Sequence, residues 1–184
     1  MRSFSHGAHP FGRLSRHRGD MALIRQTPDF QTLPADGKAV ELKASKFLAC
    51  QVALEIAAPP EKVMATLTRA AEYPRWNSTV TKLEGQIAEG QTIKLVSVLA
   101  PKRTFKLKVS LGPDTMTWED GMPFGLFRGV RSFRATRTAK GTTVFAMSEI
   151  FSGPMLGMIA GSLPDQRATF ETFAQDLKTE AERT

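Results

Sequence analysis

Leu48, Cys50, Val52, Leu54 and Ile56 fall on one side of a two-residue repeat, and Phe47, Ala49, Gln51, Ala53 and Glu55 fall on the other. The stretch from Val40 to Ile56 therefore reads as strand, with the first set facing a core. The pattern recurs downstream. Val80, Lys82 and Glu84 alternate with Thr81 and Leu83. Ile93, Leu95, Ser97 and Leu99 share a face against Lys94, Val96 and Val98, and Phe105, Leu107, Val109 and Leu111 oppose Lys106, Lys108 and Ser110. Turn residues separate these runs: Gly85 with Gly90, Ala100-Pro101-Lys102, and Gly112-Pro113-Asp114. Further strands are predicted from Thr115 to Glu119, over about 126–138 and over about 142–152, the last two joined around Ala139-Lys140-Gly141.

The period changes twice. Pro59-Pro60 ends the first strand, and proline suits the first turn of a helix, where its missing N–H costs nothing. Val63, Met64 and Leu67 predict a short amphipathic helix over about 60–69, with a further helical turn from Ala70 to Arg75. Near the C-terminal end Phe170, Phe173, Ala174, Leu177 and Ala181 fall at i, i+3, i+4, i+7 and i+11, which predicts a long helix from Asp165 onward. Gly157, Gly161 and Pro164 predict a broken approach to it. Residues 21–45 read as a loop or an extra edge strand, and 46–184 as one domain. The order is strand, two short helices, a strand meander and one long helix. That is α+β, with an antiparallel sheet whose apolar face only the C-terminal helix is large enough to cover.

The last hairpin permits a register argument. A three-residue loop at 139–141 pairs Thr138 with Thr142, and so sets Phe133 opposite Met147, Ala135 opposite Phe145, Gly129 opposite Phe151 and Arg131 opposite Glu149. Directly opposed side chains share a sheet face. Phe127, Phe133, Phe145, Met147 and Phe151 then mark the concave face, and Arg131 and Glu149 fall among them. A one-residue slip would reverse the faces. Two roles are open for the pair: a polar anchor for a mostly apolar ligand, or an ion pair that fixes the sheet and touches no ligand.

Composition narrows the chemistry. The 184 residues are 41% hydrophobic, enough for one sizeable core. All three histidines (His6, His9, His17) precede Met21, so the body can build neither a Ser-His-Asp nor a Cys-His triad. The single cysteine, Cys50, excludes an internal disulfide and is too few thiolates for a His/Cys zinc site. No glycine-rich nucleotide loop follows a strand, and the acids are dispersed, so neither cofactor nor metal is expected.

The formal charge of +7 is uneven: residues 1–20 carry Arg2, Arg13, Arg16 and Arg18 against Asp20. This Arg- and Ser-rich arm fits an organelle transit peptide, an upstream extension with Met21 as the start, or a leader. In the body basic residues are dispersed among acids and no recognition motif stands out, so no nucleic-acid partner is expected. No apolar run approaches the roughly 18–20 residues that would span a bilayer. The expected location is cytoplasmic, with organelle targeting by residues 1–20 left open.

Several short pieces occur in a telling order: Ile56-Ala57-Ala58-Pro59 with Val63, Tyr73-Pro74-Arg75-Trp76-Asn77, Thr117-Trp118, Phe127-Arg128-Gly129, Phe133, Gly141-Thr142-Thr143, Glu149-Ile150-Phe151-Ser152-Gly153, and Leu177-Lys178 with Ala181-Glu182. Together they resemble the SRPBCC superfamily of START-type lipid-transfer domains, birch-pollen-allergen-like proteins and polyketide cyclase/dehydrase-like proteins. The resemblance covers about residues 46–183. It implies a helix-grip fold: a curved antiparallel sheet wrapped around the long C-terminal helix, with an apolar cavity between them. Two positions depart from the pattern. Ser78 stands where the family usually has proline, and Arg131 stands where many relatives place histidine in a Gly-x-His-x-Phe stretch. Chemistry done by that histidine in relatives is closed to this chain.

The functional expectation is a non-catalytic protein that binds or transfers a hydrophobic small molecule, such as a lipid, an isoprenoid or an aromatic polyketide-like compound. Its cavity is expected to be lined by Phe105, Leu107, Trp118, Phe127, Phe133, Phe145, Met147 and Phe151, with Arg131 and Glu149 as the polar group. Trp76 would close the mouth or pack in the core, and Met155, Met158 and Ile159 would form an adaptable gate or simply pack the helix start. The alternative is a polyketide cyclase/dehydrase-type enzyme in which Arg131 polarises a carbonyl and Glu149 is acid or base. A third reading is an interaction module with a vestigial cavity.

Overall fold

A computed structural model describes residues 33–183. The arm at 1–20 and the beginning of the 21–45 segment lie outside the described residues. The strands are β1 (Val40–Ala44), β2 (Phe47–Ile56), β3 (Val80–Glu84), β4 (Thr92–Ser97), β5 (Phe105–Leu111), β6 (Thr115–Gly121), β7 (Arg128–Arg137) and β8 (Thr143–Ser152). The helices are α1 (Pro60–Thr68), α2 (Tyr73–Trp76), α3 (Leu156–Ile159) and α4 (Arg167–Ala181). All eight strands form one curved antiparallel sheet in the order β1-β2-β8-β7-β6-β5-β4-β3. Strands β3 to β8 are a meander, and β2 joins it on the far side of β8.

The β7–β8 hairpin has the register that its short loop requires. Thr138 N donates to Thr142 O at 2.9 Å, and Arg131 opposes Glu149, Phe133 opposes Met147 and Gly129 opposes Phe151. Gly141 takes φ +82° in that loop, a conformation glycine adopts without strain.

Two expectations about the first strands are corrected. The run from Val40 to Ile56 is not one strand but a hairpin, with Ala44 paired to Phe47 around Ser45-Lys46. Alternation persists through so tight a turn, and no glycine or proline marks it. Nor is β2 buried on one face alone: Ala49, Gln51 and Ala53 are as buried as Cys50 and Val52. Alanines are too small to announce a core face in the pattern. Gln51 is accommodated there by its amide, which donates to Ser148 Oγ at 3.3 Å.

Helix α4 lies against β2 and β8 with α1 beside it. The residues predicted on its apolar stripe, Phe170, Phe173, Ala174, Leu177 and Ala181, are those it buries. Phe173 is the hub, with ring centroids 5.8 Å from Phe133, 5.9 Å from Trp76, 6.3 Å from Tyr73 and 6.5 Å from Phe145. Ser78 earns its place where proline would be usual: its N–H and hydroxyl both donate to Asp176 of α4, at 2.8 and 2.7 Å. Proline could make neither bond.

Candidate functional site

Helix α4 fills only part of the groove. At the other end, between β4–β8 and the segment 159–166, the structure leaves a pocket of about 460 Å³. Eight of the expected lining residues border it: Phe105 and Leu107 of β5, Trp118 of β6, Phe127, Arg131 of β7, Glu149 and Phe151 of β8, and Ile159 of α3. Gly129 opposes Phe151, and without a side chain it lets the Phe151 ring lie over its backbone, with Phe127 stacked on that ring at 5.7 Å. This pair builds one apolar wall.

The remaining expected residues are elsewhere. Phe133, Phe145 and Met147 are fully buried beneath α4, so they belong to the packed half of the groove. Trp76 sits in that same core against Tyr73, ring centroids 4.7 Å apart. Met155 does not border the pocket, and Met158 is 81% exposed. Alternation identifies the concave face but cannot say how far along it a helix reaches.

Arg131 and Glu149 meet inside the pocket wall. Arg131 Nη2 donates to Glu149 Oε2 at 2.7 Å, and each side chain is 15% exposed. The Arg131 guanidinium lies over the Phe170 ring, 5.2 Å from its centroid, a cation–π contact that helps hold it flat. A third partner went unread in the sequence. Gln166, at the start of α4, donates its amide to the same Glu149 oxygen at 2.7 Å. The sequence places it within the predicted helix; in the structure it stands at the N-cap position instead. Among the described residues nothing accepts from Arg131 Nη1 or donates to Glu149 Oε1. Two further donors bordering the pocket are buried without an acceptor among the described residues, Arg131 Nε and Trp118 Nε1, and these residues oppose each other across β6 and β7. Unpaired buried donors are costly, so they mark a place where an oxygen would be well received.

The mouth also holds Arg103, Asp120 and Met122, none of them anticipated. Arg103 lies over the Phe105 ring at 4.5 Å and pairs with Asp120 at 3.8 Å. Tyr73, the sole tyrosine, is fully buried, donates to Leu67 O at 2.8 Å, and has its hydroxyl pKa pushed well above the ordinary range by burial. It is therefore no base. Among the described residues no cluster of His, Cys, Asp or Glu side chains could hold a metal, and no helix is long and apolar enough to cross a membrane.

This architecture has counterparts. A profile of the family described as polyketide cyclase / dehydrase and lipid transport matches residues 49–182. The chain belongs to that family. Among curated proteins none matches the sequence. Solved structures share the fold. A START superfamily protein from Mycobacterium smegmatis aligns with TM-score 0.53 and 17% identity, over 73% of this chain and 97% of its own. A point mutant of norcoclaurine synthase from Thalictrum flavum aligns with TM-score 0.58 and 17% identity, over 76% and 97%. The Zhui aromatase/cyclase from Streptomyces sp. R1128 aligns with TM-score 0.55 and 19% identity, over 74% and 94%. At such identities the likeness concerns the fold alone. The family match places the chain in the SRPBCC superfamily, and the shared fold is the helix-grip architecture.

Proposed function

We propose that this protein binds a hydrophobic small molecule in the pocket, with Arg131 as the anchor for an oxygen on an otherwise apolar ligand. A lipid, an isoprenoid or an aromatic polyketide-like compound has that character. The observation that carries the reading is a pocket of about 460 Å³ with an apolar wall, an ordered Arg131–Glu149–Gln166 group set into it and an Arg103–Asp120 pair at its mouth. Small-molecule sites run about 300–1,000 Å³ and are mostly apolar with a few placed polar groups. Affinity would come from burial, roughly 25 cal/mol for each Å² of apolar surface removed from water. The guanidinium would supply orientation.

Native mass spectrometry of the intact purified protein tests this, with copurified ligand as the expected result. Titration with long-chain carboxylic acids and their methyl esters tests the anchor. Arg131→Ala should weaken binding of one or both roughly tenfold to hundredfold, the range for a lost hydrogen bond to a charged group. Unchanged affinity for every acid and ester would overturn the anchor.

The family description and the Zhui relative favour a second reading, catalysis of a cyclase/dehydrase kind. The open Glu149 Oε1 beside Arg131 gives it a place: Arg131 would polarise a carbonyl while Glu149 moved a proton. In that case Glu149→Gln abolishes turnover and leaves ligand affinity intact. In a carrier there is no turnover to lose.

A further inference from the structure

The rim of the pocket is built from two uncharged segments. Residues 121–127 (GMPFGLF) carry no polar side chain, and residues 153–164 (GPMLGMIAGSLP) carry one, Ser162. The Ser162 hydroxyl is already committed to Ile159 O at 2.7 Å. The segments are tied together, since Met155 N donates to Leu126 O at 2.9 Å. Leu156 is buried and Phe127, Ile159 and Leu163 border the pocket, but most of the other large apolar side chains turn outward. Phe124 is 100% exposed and Met158 81%, with Met122 and Leu126 also exposed.

Phe124 is doubly unfavourable in water. It is a fully exposed aromatic, and it holds φ +59°, among the described residues the one non-glycine in the left-handed region. A bulky residue there costs free energy that glycine or asparagine would not. Such an outlier points from structure toward function.

Charge completes the picture. Each acid beside these segments is tied to an arginine: Glu119 to Arg128 at 2.8 Å, Asp120 to Arg103 at 3.8 Å, and Asp165 to Arg167 at 2.6 Å. Lys102, exposed on the facing β4–β5 loop, has no counter-charge among the described residues. The rim therefore presents apolar side chains with a slight positive excess.

We infer that this rim docks on a lipid bilayer surface, preferring anionic lipid, with Phe124 and Met158 entering the headgroup boundary. A specific protein partner would be expected to meet about ten hydrogen-bonding groups across an interface of standard size. This rim offers almost none. A bilayer demands none, and it rewards exposed aromatic and aliphatic side chains flanked by cations. Docking there would set the pocket mouth against the phase in which an apolar ligand dissolves. That consequence rests on the ligand-binding reading above, but the docking itself does not.

The test is flotation of the full chain with vesicles of phosphatidylcholine alone and with a minority of phosphatidylglycerol, at low and high salt. The wild type should float with both, more with the anionic mixture. Phe124→Asn with Met158→Gln should lower the membrane partition constant by about tenfold or more, since burial of even one such side chain is worth that much. Asparagine tolerates the left-handed backbone, so Phe124→Asn should fold at least as well as wild type. Phe124→Trp should show blue-shifted emission quenched by brominated lipid.

High salt separates rim insertion from attraction of the basic residues at 1–20, which it screens. Failure of the wild type to float, or flotation unchanged in the double variant, overturns the inference. So does a concentration-dependent dimer that the double variant abolishes. The variant should keep wild-type affinity for a soluble pocket ligand, so docking and pocket binding fail separately.

Discussion

Cys50 of β2 stands directly opposite Glu149 of β8, 3% exposed and on the concave side of the sheet. Burial, then the neighbouring carboxylate, push its thiol from an ordinary value near 9 up to about 12. The thiolate is the reactive form, so Cys50 should be inert to thiol reagents at pH 8 in the folded protein and react at once in denaturant.

The same shift has a sign for stability. The folded state holds the proton more tightly than the unfolded chain, so the contribution is fully present below pH 9. It is lost as pH rises toward 12, at a slope approaching about 1.4 kcal/mol per pH unit. Denaturant titrations across that window should show a smaller drop for Cys50→Ala than for the wild type, the remainder including the buried Tyr73 hydroxyl, whose pKa is raised in the same direction.

Arg131 and Glu149 are mostly withdrawn from water, and each leaves a costly orphan if the other is removed. Arg131→Met should destabilise by about 2 kcal/mol, a figure discounted for residual exposure. Arg131→Met with Glu149→Met should recover most of that loss. Additive losses in urea titrations would refute the coupling.

Phe173 is the hub of the packed half of the groove, touching rings from α2, β7 and β8. Phe173→Ala should cost about 3–5 kcal/mol. It should also extend the pocket under α4, readable as binding of bulkier apolar probes.

Gly153 holds φ +116°, and a Cβ there would lie 2.6 Å from Leu126 O. Gly153→Ala should cost about 2 kcal/mol or more and loosen the rim. Gly157, with open space around it, should accept alanine at no cost. Thermal denaturation of the two variants distinguishes them.

Much of this was legible in the chain. Periodicity located most of the strands and the stripe of α4, because a buried face must repeat with the geometry of its element. The Ala139-Lys140-Gly141 loop was short enough to force the β7–β8 register, so the meeting of Arg131 and Glu149 could be read from loop length. The absence of histidine after His17 closed off familiar catalytic triads. Only the tertiary structure decided how the concave face is divided. Phe133, Phe145 and Met147 alternate like Phe105 and Leu107, yet α4 covers the first three and stops short of the others. That limit depends on where a helix docks along a sheet, a long-range relation that local patterning does not encode. The same holds for Gln166, brought onto Glu149 by the turn of the chain into α4, and for Phe124, whose exposure and backbone strain exist only once the rim is closed.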